Sequence, residues 1–261
     1  MIPQPYYVID FVFITGLFEV RVNDIPVIML SLDKQQMSTE VPINHGIHQS
    51  GPFEVSVKLL PVPGETQLSQ EAALRYKVYL YDVSNGFKFQ EDLGGWKSPK
   101  VDKENPEALF TNSKFFEAEV PYSVNALWTD GKQIKKVKEA REKLIHKYSE
   151  ISRLLKNGKY DTYQNMISVR EQNIAKAMYL TPSESQARFR RLKRDLQSGF
   201  DKVEYPKESV VLVPSAYGKK ASLRRPNGDP ALSFVNPELG EQQMLDIEFY
   251  FDKKVKEFKI I

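Results

Sequence analysis

The sequence predicts two domains: an N-terminal antiparallel β-sandwich over residues 1–127 and a C-terminal α+β domain over residues 128–261. In the second, three helices (132–203) pack on an antiparallel sheet (207–261). Three observations carry this prediction. Apolar residues alternate at period two through most of the first half, then at about 3.6 residues from Gln133 onward. Residues 1–127 hold 10 basic and 16 acidic side chains, whereas residues 128–261 hold 27 and 18, so a net charge of +3 conceals opposite balances. Proline, glycine, asparagine and aspartate cluster between the short apolar runs, as they do between strands.

In the first half, "YYVIDFVF" is aromatic and β-branched. "LFEVRVN" sets Phe18, Val20 and Val22 on one side, and after "DIP" turns the chain "VIMLSL" returns it. "FEVSVKLL" alternates as Phe53, Val55, Val57 and Leu59. "LRYKVYLYDV" puts Leu74, Tyr76, Val78 and Leu80 on one face and Arg75, Lys77, Tyr79 and Tyr81 on the other, and "FFEAEVPY" closes the series. "DLGGWKSP" reads as an exposed loop that offers Trp96 to a sugar or a protein partner.

Two stretches here carry a resemblance. "VRVNDIPVIML" is similar to the hairpin of galactose-binding-like jelly-roll domains, and "VPINHGIHQSGPFEVSVKL" to the element that follows it. The resemblance covers residues 16–60, with Asp24 where the group usually has glycine. It implies that Ile47 is delivered into the sandwich core. It also implies a domain that binds carbohydrate or serves as a spacer or contact surface.

The second half opens on helices. Ile134, Val137, Leu144, Tyr148, Ile151 and Leu155 form one stripe, which predicts a helix from Gln133 to Leu155 ended by Gly158. Asp161, with Gln164 three residues on, predicts the start of a second helix. "TPSE" predicts a third, with Thr181 as cap, Pro182 in the first turn and Glu184 reaching back. "SVVLVP", "KASLRR", "ALSFVN", "MLDIEFYF" and "VKEFKII" read as strands, with turns at "PNGDP" and "DKK". This order over residues 132–261 resembles nuclear transport factor 2-like domains, in which helices pack into a curved sheet.

Composition bounds the function. The 261 residues are 41% hydrophobic and 27% charged, ordinary for a globular protein. The absence of cysteine excludes disulfides and thiolate metal sites and fits a reducing compartment. The apolar N-terminus carries Asp10, no basic residue before Arg21 and no small-residue cleavage site, unlike a signal peptide. With no apolar run near the roughly 20 residues of a membrane span, a cytoplasmic protein is expected.

Four groups are candidates for chemistry. His45 and His48 are two of the three histidines, an incomplete ligand set for zinc, so the favoured reading of "NHGIHQSG" is a turn. On "MLDIEFYFD", Asp246 and Glu248 share the polar face and form the candidate carboxylate pair, one of them with a raised pKa for acid catalysis. The competing reading is a sheet with one wet face, for which Glu248→Gln is silent. "ARFRRLKRDL" offers Arg190, Arg191 and Arg194 to an acidic partner. Interspersed acids and few aromatics count against nucleic acid there, and the plainer readings are a solvated helix face or docking of the basic helices on the acidic first domain. No phosphate-binding loop, nucleophile elbow or dinucleotide fingerprint is present, and no cofactor is expected. The expectation is a non-enzymatic protein that binds another protein, in concrete form an immunity-type inhibitor of a secreted bacterial toxin. The alternatives are a small-ligand binder or hydrolase on the concave C-terminal sheet, and a carbohydrate-binding sandwich.

Overall fold

The structure is a computed structural model and describes residues 2–261. The chain forms two compact units, Met1–Val124 and Asn125–Ile261.

The first unit is built from β1 (Pro5–Val22), β2 (Ile25–Pro42), β3 (Gly51–Leu60), β4 (Ala73–Asp82), β5 (Lys88–Lys97) and β6 (Phe110–Ala118). They make one six-stranded antiparallel sheet in the order β5-β4-β1-β3-β6, with β2 also on β1. "YYVIDFVF" and "LFEVRVN", read from sequence as separate strands, are two arms of β1. The first arm pairs β4 from Pro5 to Ile14, and the second pairs β3 from Leu17 to Val22.

The arms meet at Thr15 (φ 44°) and Gly16 (φ 139°), where the register with β2 shifts. A Cβ on Gly16 would lie 2.7 Å from the Leu60 carbonyl oxygen, so glycine is required by space as well as by φ. The bend curls the sheet and stacks Phe13 against Phe18 at 4.7 Å across it. The core takes the predicted faces of β1, β3 and β4, including Phe18, Val20, Val57, Leu59 and Tyr76.

At the β1–β2 turn, Asn23 (φ 50°) and Asp24 (φ 59°) are both left-handed, as a two-residue hairpin with native twist demands. Asp24 therefore fills the glycine position at a modest conformational cost. "DLGGWK" is not a loop. It lies within β5, where Gly94 and Gly95 pair with Val78 and Lys77 and Trp96 pairs with Tyr76. Gly95 presses on the Tyr76 carbonyl with no space for a Cβ, which is why the glycines belong to a strand.

The second unit contains, among the described residues, four α-helices rather than the three expected: α1 (Ala140–Lys156), α2 (Tyr160–Met166), α3 (Ser168–Ala177) and α4 (Pro182–Gln197). A short 3-10 turn at Ile134–Lys136 replaces the first turn of the expected helix, because Glu139 is left-handed (φ 55°) and separates it from α1. The second expected helix is broken at Ile167, and it begins at Tyr160 with no side-chain cap from Asp161. The "TPSE" cap of α4 forms as read. Thr181 Oγ1 accepts from the Glu184 N–H at 3.3 Å, and Glu184 Oε2 accepts from the Thr181 N–H at 2.8 Å. Thr181→Ala is expected to lower stability by about 1 kcal/mol in denaturant titration.

Seven strands follow: β7 (Lys202–Glu204), β8 (Val211–Ser215), β9 (Lys220–Arg224), β10 (Leu232–Asn236), β11 (Glu241–Leu245), β12 (Phe249–Asp252) and β13 (Glu257–Ile260). They form two antiparallel sheets, β11-β10-β7 and β13-β12-β9-β8. The expected single strand "MLDIEFYFD" is divided between them, with residues 246–248 crossing from β11 to β12. "PNGDP" reverses the chain as read, with the Arg225 N–H donating to the Asp229 carbonyl at 2.8 Å and Arg224 bridging Pro230, before the chain passes from β9 to β10 of the other sheet. In the β12–β13 turn Asp252 accepts from Lys254 N–H at 2.8 Å. The predicted α1 stripe of Leu144, Tyr148, Ile151 and Leu155 is buried with Leu223, Phe234, Ile247 and Phe249 in one core. No helix among the described residues is long and apolar enough to cross a membrane.

Candidate functional site

Strand β9 reads Lys-Ala-Ser-Leu-Arg and is buried along its whole length. Alternation sends Ala221 and Leu223 into the helix-covered core and leaves Lys220 and Arg224 on the other side, each only 4% exposed. Two buried cations need partners, and the crossover from β11 to β12 supplies them. Arg224 Nη2 lies 2.8 Å from each oxygen of Asp246, and its Nη1 donates to the Gly228 carbonyl at 3.1 Å. Glu248 accepts from the Lys220 ammonium and from the Ser215 hydroxyl. The same ammonium stands 5.0 Å above the Trp128 ring. Tyr148 ties the helix to this arrangement: its hydroxyl donates to the Ile247 carbonyl at 2.8 Å and accepts from the Leu223 N–H at 3.1 Å.

The candidate carboxylates are therefore brought to one place but engaged separately by β9. Burial alone would raise the Glu248 carboxyl. The Lys220 charge and hydrogen bond, the Ser215 hydroxyl and the Arg224 charge outweigh burial and hold it below the ordinary glutamate value. A general acid at neutral pH requires the opposite shift. The raised carboxyl expected of an acid catalyst is thus not what these contacts produce at Glu248, and the residue sits in a structural ion pair.

His45 is exposed at the tip of the 3-10 turn Asn44–Gly46, and His48 is half-buried just beyond it. Among the described residues no group of three or more His, Asp or Glu could hold a metal ion. The same turn contains a residue that sequence reading passed over. Asn44 is fully buried, accepts from the Tyr7 N–H at 2.7 Å and donates to the Pro5 carbonyl at 3.0 Å, anchoring the start of β1. On its other side Ile47 is 1% exposed within the core.

One cleft of the second unit, of about 370 Å³, lies between β11 and helices α2–α4. Tyr163, Ile167, Phe189 and Leu192 give it apolar walls, and Arg170, Arg188 and Arg191 bring charge to it. Arg170 bonds Glu171 at 2.6 Å and reaches the Asp246 carbonyl at 3.4 Å. Arg188 takes the other Glu171 oxygen at 3.2 Å. Arg191 and Arg194 approach Asp195 at 3.7 and 3.8 Å, with side chains 79% and 75% exposed. Of the three arginines singled out from sequence, Arg191 lines the cleft. Arg190 and Arg194 are exposed on α4 outside it, and Arg190 donates to Gln186 at 3.3 Å. Arg170 and β11 were missed because neither carries a local signal; only the packing of α3 beside β11 joins them.

The first unit presents a different surface. Tyr79 and Tyr81 of β4 meet Phe89 of β5, and Tyr81 and Tyr6 meet Phe87. Phe87 and Phe89 are both largely exposed. Most of these rings meet edge to face, the arrangement aromatic pairs prefer, so the cluster is ridged rather than a flat stack. Trp96 is half-buried against the core of the same unit.

Compared with known proteins, the chain matches no family model, no curated protein and no solved structure.

Proposed function

We propose that the chain is a non-enzymatic protein that binds another protein through the arginine-rimmed cleft of its C-terminal unit. The observation that carries this reading is the contrast within that unit. Lys220 is paired with Glu248 and Arg224 with Asp246, while the cleft beside α4 is open and its arginines reach solvent. Charges of this kind govern encounter rate and partner choice more than fold stability. An immunity-type inhibitor of a secreted bacterial toxin is the concrete form of this reading, since such proteins are built for a single partner. The curled sheet of the first unit we read as a closed jelly-roll-like sandwich serving as a spacer or contact surface, supported by the Phe13–Phe18 stack across its bend. The exposed aromatic ridge on β4 and β5 fits contact with a protein better than stacking on a sugar.

The test is capture of partners from the native cell by the tagged chain, compared with a variant in which Arg188 and Arg191 of the cleft are replaced by Glu. A protein partner recovered one-to-one by the parent should be lost by the variant. Its affinity should fall by about tenfold or more, mainly through slower association that depends steeply on salt. Circular dichroism should show the variant folded, because such exposed charges contribute little to stability. Equal capture by both proteins would refute the assignment of the binding face.

A further inference from the structure

We infer that the cleft accepts an extended acidic peptide strand, which adds to the open edge of β11. This rests on the partner-binding reading above and names the form of the partner.

Three features of the cleft converge on it. The first is the edge itself. Among the described residues β11 pairs only with β10, in unbroken register from Glu241 opposite Asn236 to Leu245 opposite Leu232. Its other edge therefore has backbone donors and acceptors available to a further strand. Other outer strands carry features that discourage such addition. β8 contains Pro214, β5 has two register shifts against β4, β7 is three residues long, and β6 and β13 carry Lys114 and Lys259. β11, "EQQML", has no proline, lysine or bulge.

The second feature is the wall opposite. Gln243, Met244 and Leu245 form one side of the cleft, and Phe189, Leu192 and Ile167 the other. An added strand sends every second side chain toward one face. The cleft, at about 370 Å³, has room for a few apolar side chains from such a strand but not for a second packed helix.

The third feature is charge. Glu171 serves both Arg170 and Arg188, and Asp195 serves both Arg191 and Arg194. Three guanidinium groups line the cleft, those of Arg170, Arg188 and Arg191. Of its three carboxylates Asp246 is taken by Arg224, so Glu171 and Asp195 answer them, with Arg194 outside the cleft also drawing on Asp195. Carboxylates on the outward positions of a bound strand would make up the difference, and guanidinium pairs well with carboxylate in two-point contact. An alternating apolar-acidic segment meets all three demands at once.

The test uses the full chain, immobilised, and a pool of peptides about eight residues long in which Glu alternates with Val, Ile, Leu or Phe. The expected result is retention of pool members at least about tenfold above a matched pool with Lys in place of Glu. The best-retained peptide is then made in two forms, with backbone N-methyl groups on one edge or on the other. A strand pairs through one edge only, so one form should lose binding and the other keep it. Gln243→Pro should reduce retention as well, and the methylated peptides keep the question decidable if that variant fails to fold. No retention of the acidic pool, or equal binding of both methylated forms, overturns strand addition. So does preferential retention of a single-stranded thymidine oligonucleotide, which would mark the rim as a phosphate site. Loss of the native partner in the arginine variant, combined with equal binding of both methylated peptides, would leave the partner-binding reading standing and remove this one.

Discussion

Glu248→Gln should lower the free energy of unfolding by about 3–5 kcal/mol, the cost of leaving a buried charge without its partner. The charge in question is Lys220, whose side chain is 6% exposed and whose ammonium is held by the Glu248 carboxylate and the Trp128 ring. The amide of glutamine keeps the shape and a hydrogen-bond acceptor but removes the countercharge. Replacing both members, as Lys220→Met with Glu248→Leu, should recover most of the loss, because a buried ion pair and a well-packed apolar pair of similar volume are often close in stability. Denaturant titrations of the three variants and the parent decide this. A silent Glu248→Gln, as the alternation of the sequence alone suggests, would mean that the pair is not formed.

The pair also sets a pH dependence with a definite sign. Glu248 has a folded pKa below its ordinary value of 4.5, so the unfolded chain binds the proton first. Its contribution is complete above about pH 4.5 and is lost as pH falls through the lowered folded value. The His48 imidazole, pushed down from 6.5 by burial, acts in the same direction at higher pH, since it too is protonated more readily in the unfolded chain. The parent should lose stability on acidification more steeply than Glu248→Gln, and a stability profile between pH 3 and 7 would show the difference.

Ile47→Ala should cost about 2–5 kcal/mol, whereas His45→Ala with His48→Ala should cost within about 1 kcal/mol. All three residues lie in one short turn, so the comparison isolates burial from position. Ile47 is buried with Ile43 in the core of the first unit, and the cavity left by alanine is bounded by strands fixed in a continuous sheet. Limited collapse is what places such a substitution toward the expensive end of its range. Equal destabilisation by the histidine pair, reversed by added zinc, would show that this turn holds a metal.

The contrast between these two predictions shows what the sequence carried and what it did not. The burial of Ile47 was expected only from the resemblance of residues 16–60 to jelly-roll domains, while the turn around it and the strand that alternates from Phe53 were legible because their signals are local. The α4 cap was legible for the same reason, with Thr181, Pro182 and Glu184 lying within four positions. "MLDIEFYFD" misled because its alternation is real and its continuity is not. Leu245, Ile247, Phe249 and Phe251 are all buried, yet the chain changes sheets between the first and the third. Nothing in the run announces that change; its partners, Lys220 and Arg224, stand at the two ends of β9, more than twenty residues earlier. "DLGGWK" misled in the opposite direction, since two glycines that usually mark a loop here admit a close strand. The cleft was half legible. α4 could be read as basic, but the edge it faces exists only after β10 and β11 have paired.

The bend at Thr15–Gly16 also shapes the order in which the first unit can be assembled during synthesis. A single strand serves two flanks, and they become available at different times. Once the chain has grown past Pro42, β1 and β2 can close as a long hairpin; β3 can join the second arm soon after. The first arm must wait for β4, whose Asp82 pairs back to Pro5. Until then Ile9, Phe11 and Phe13 have only half of their neighbours, on an arm with an open edge. That interval exposes an aromatic strand capable of pairing with another copy, the situation in which nascent β proteins aggregate. Contacts spanning so much sequence also form slowly. Yield in the cell should therefore depend on temperature and chaperone supply more than the stability of the finished fold would suggest.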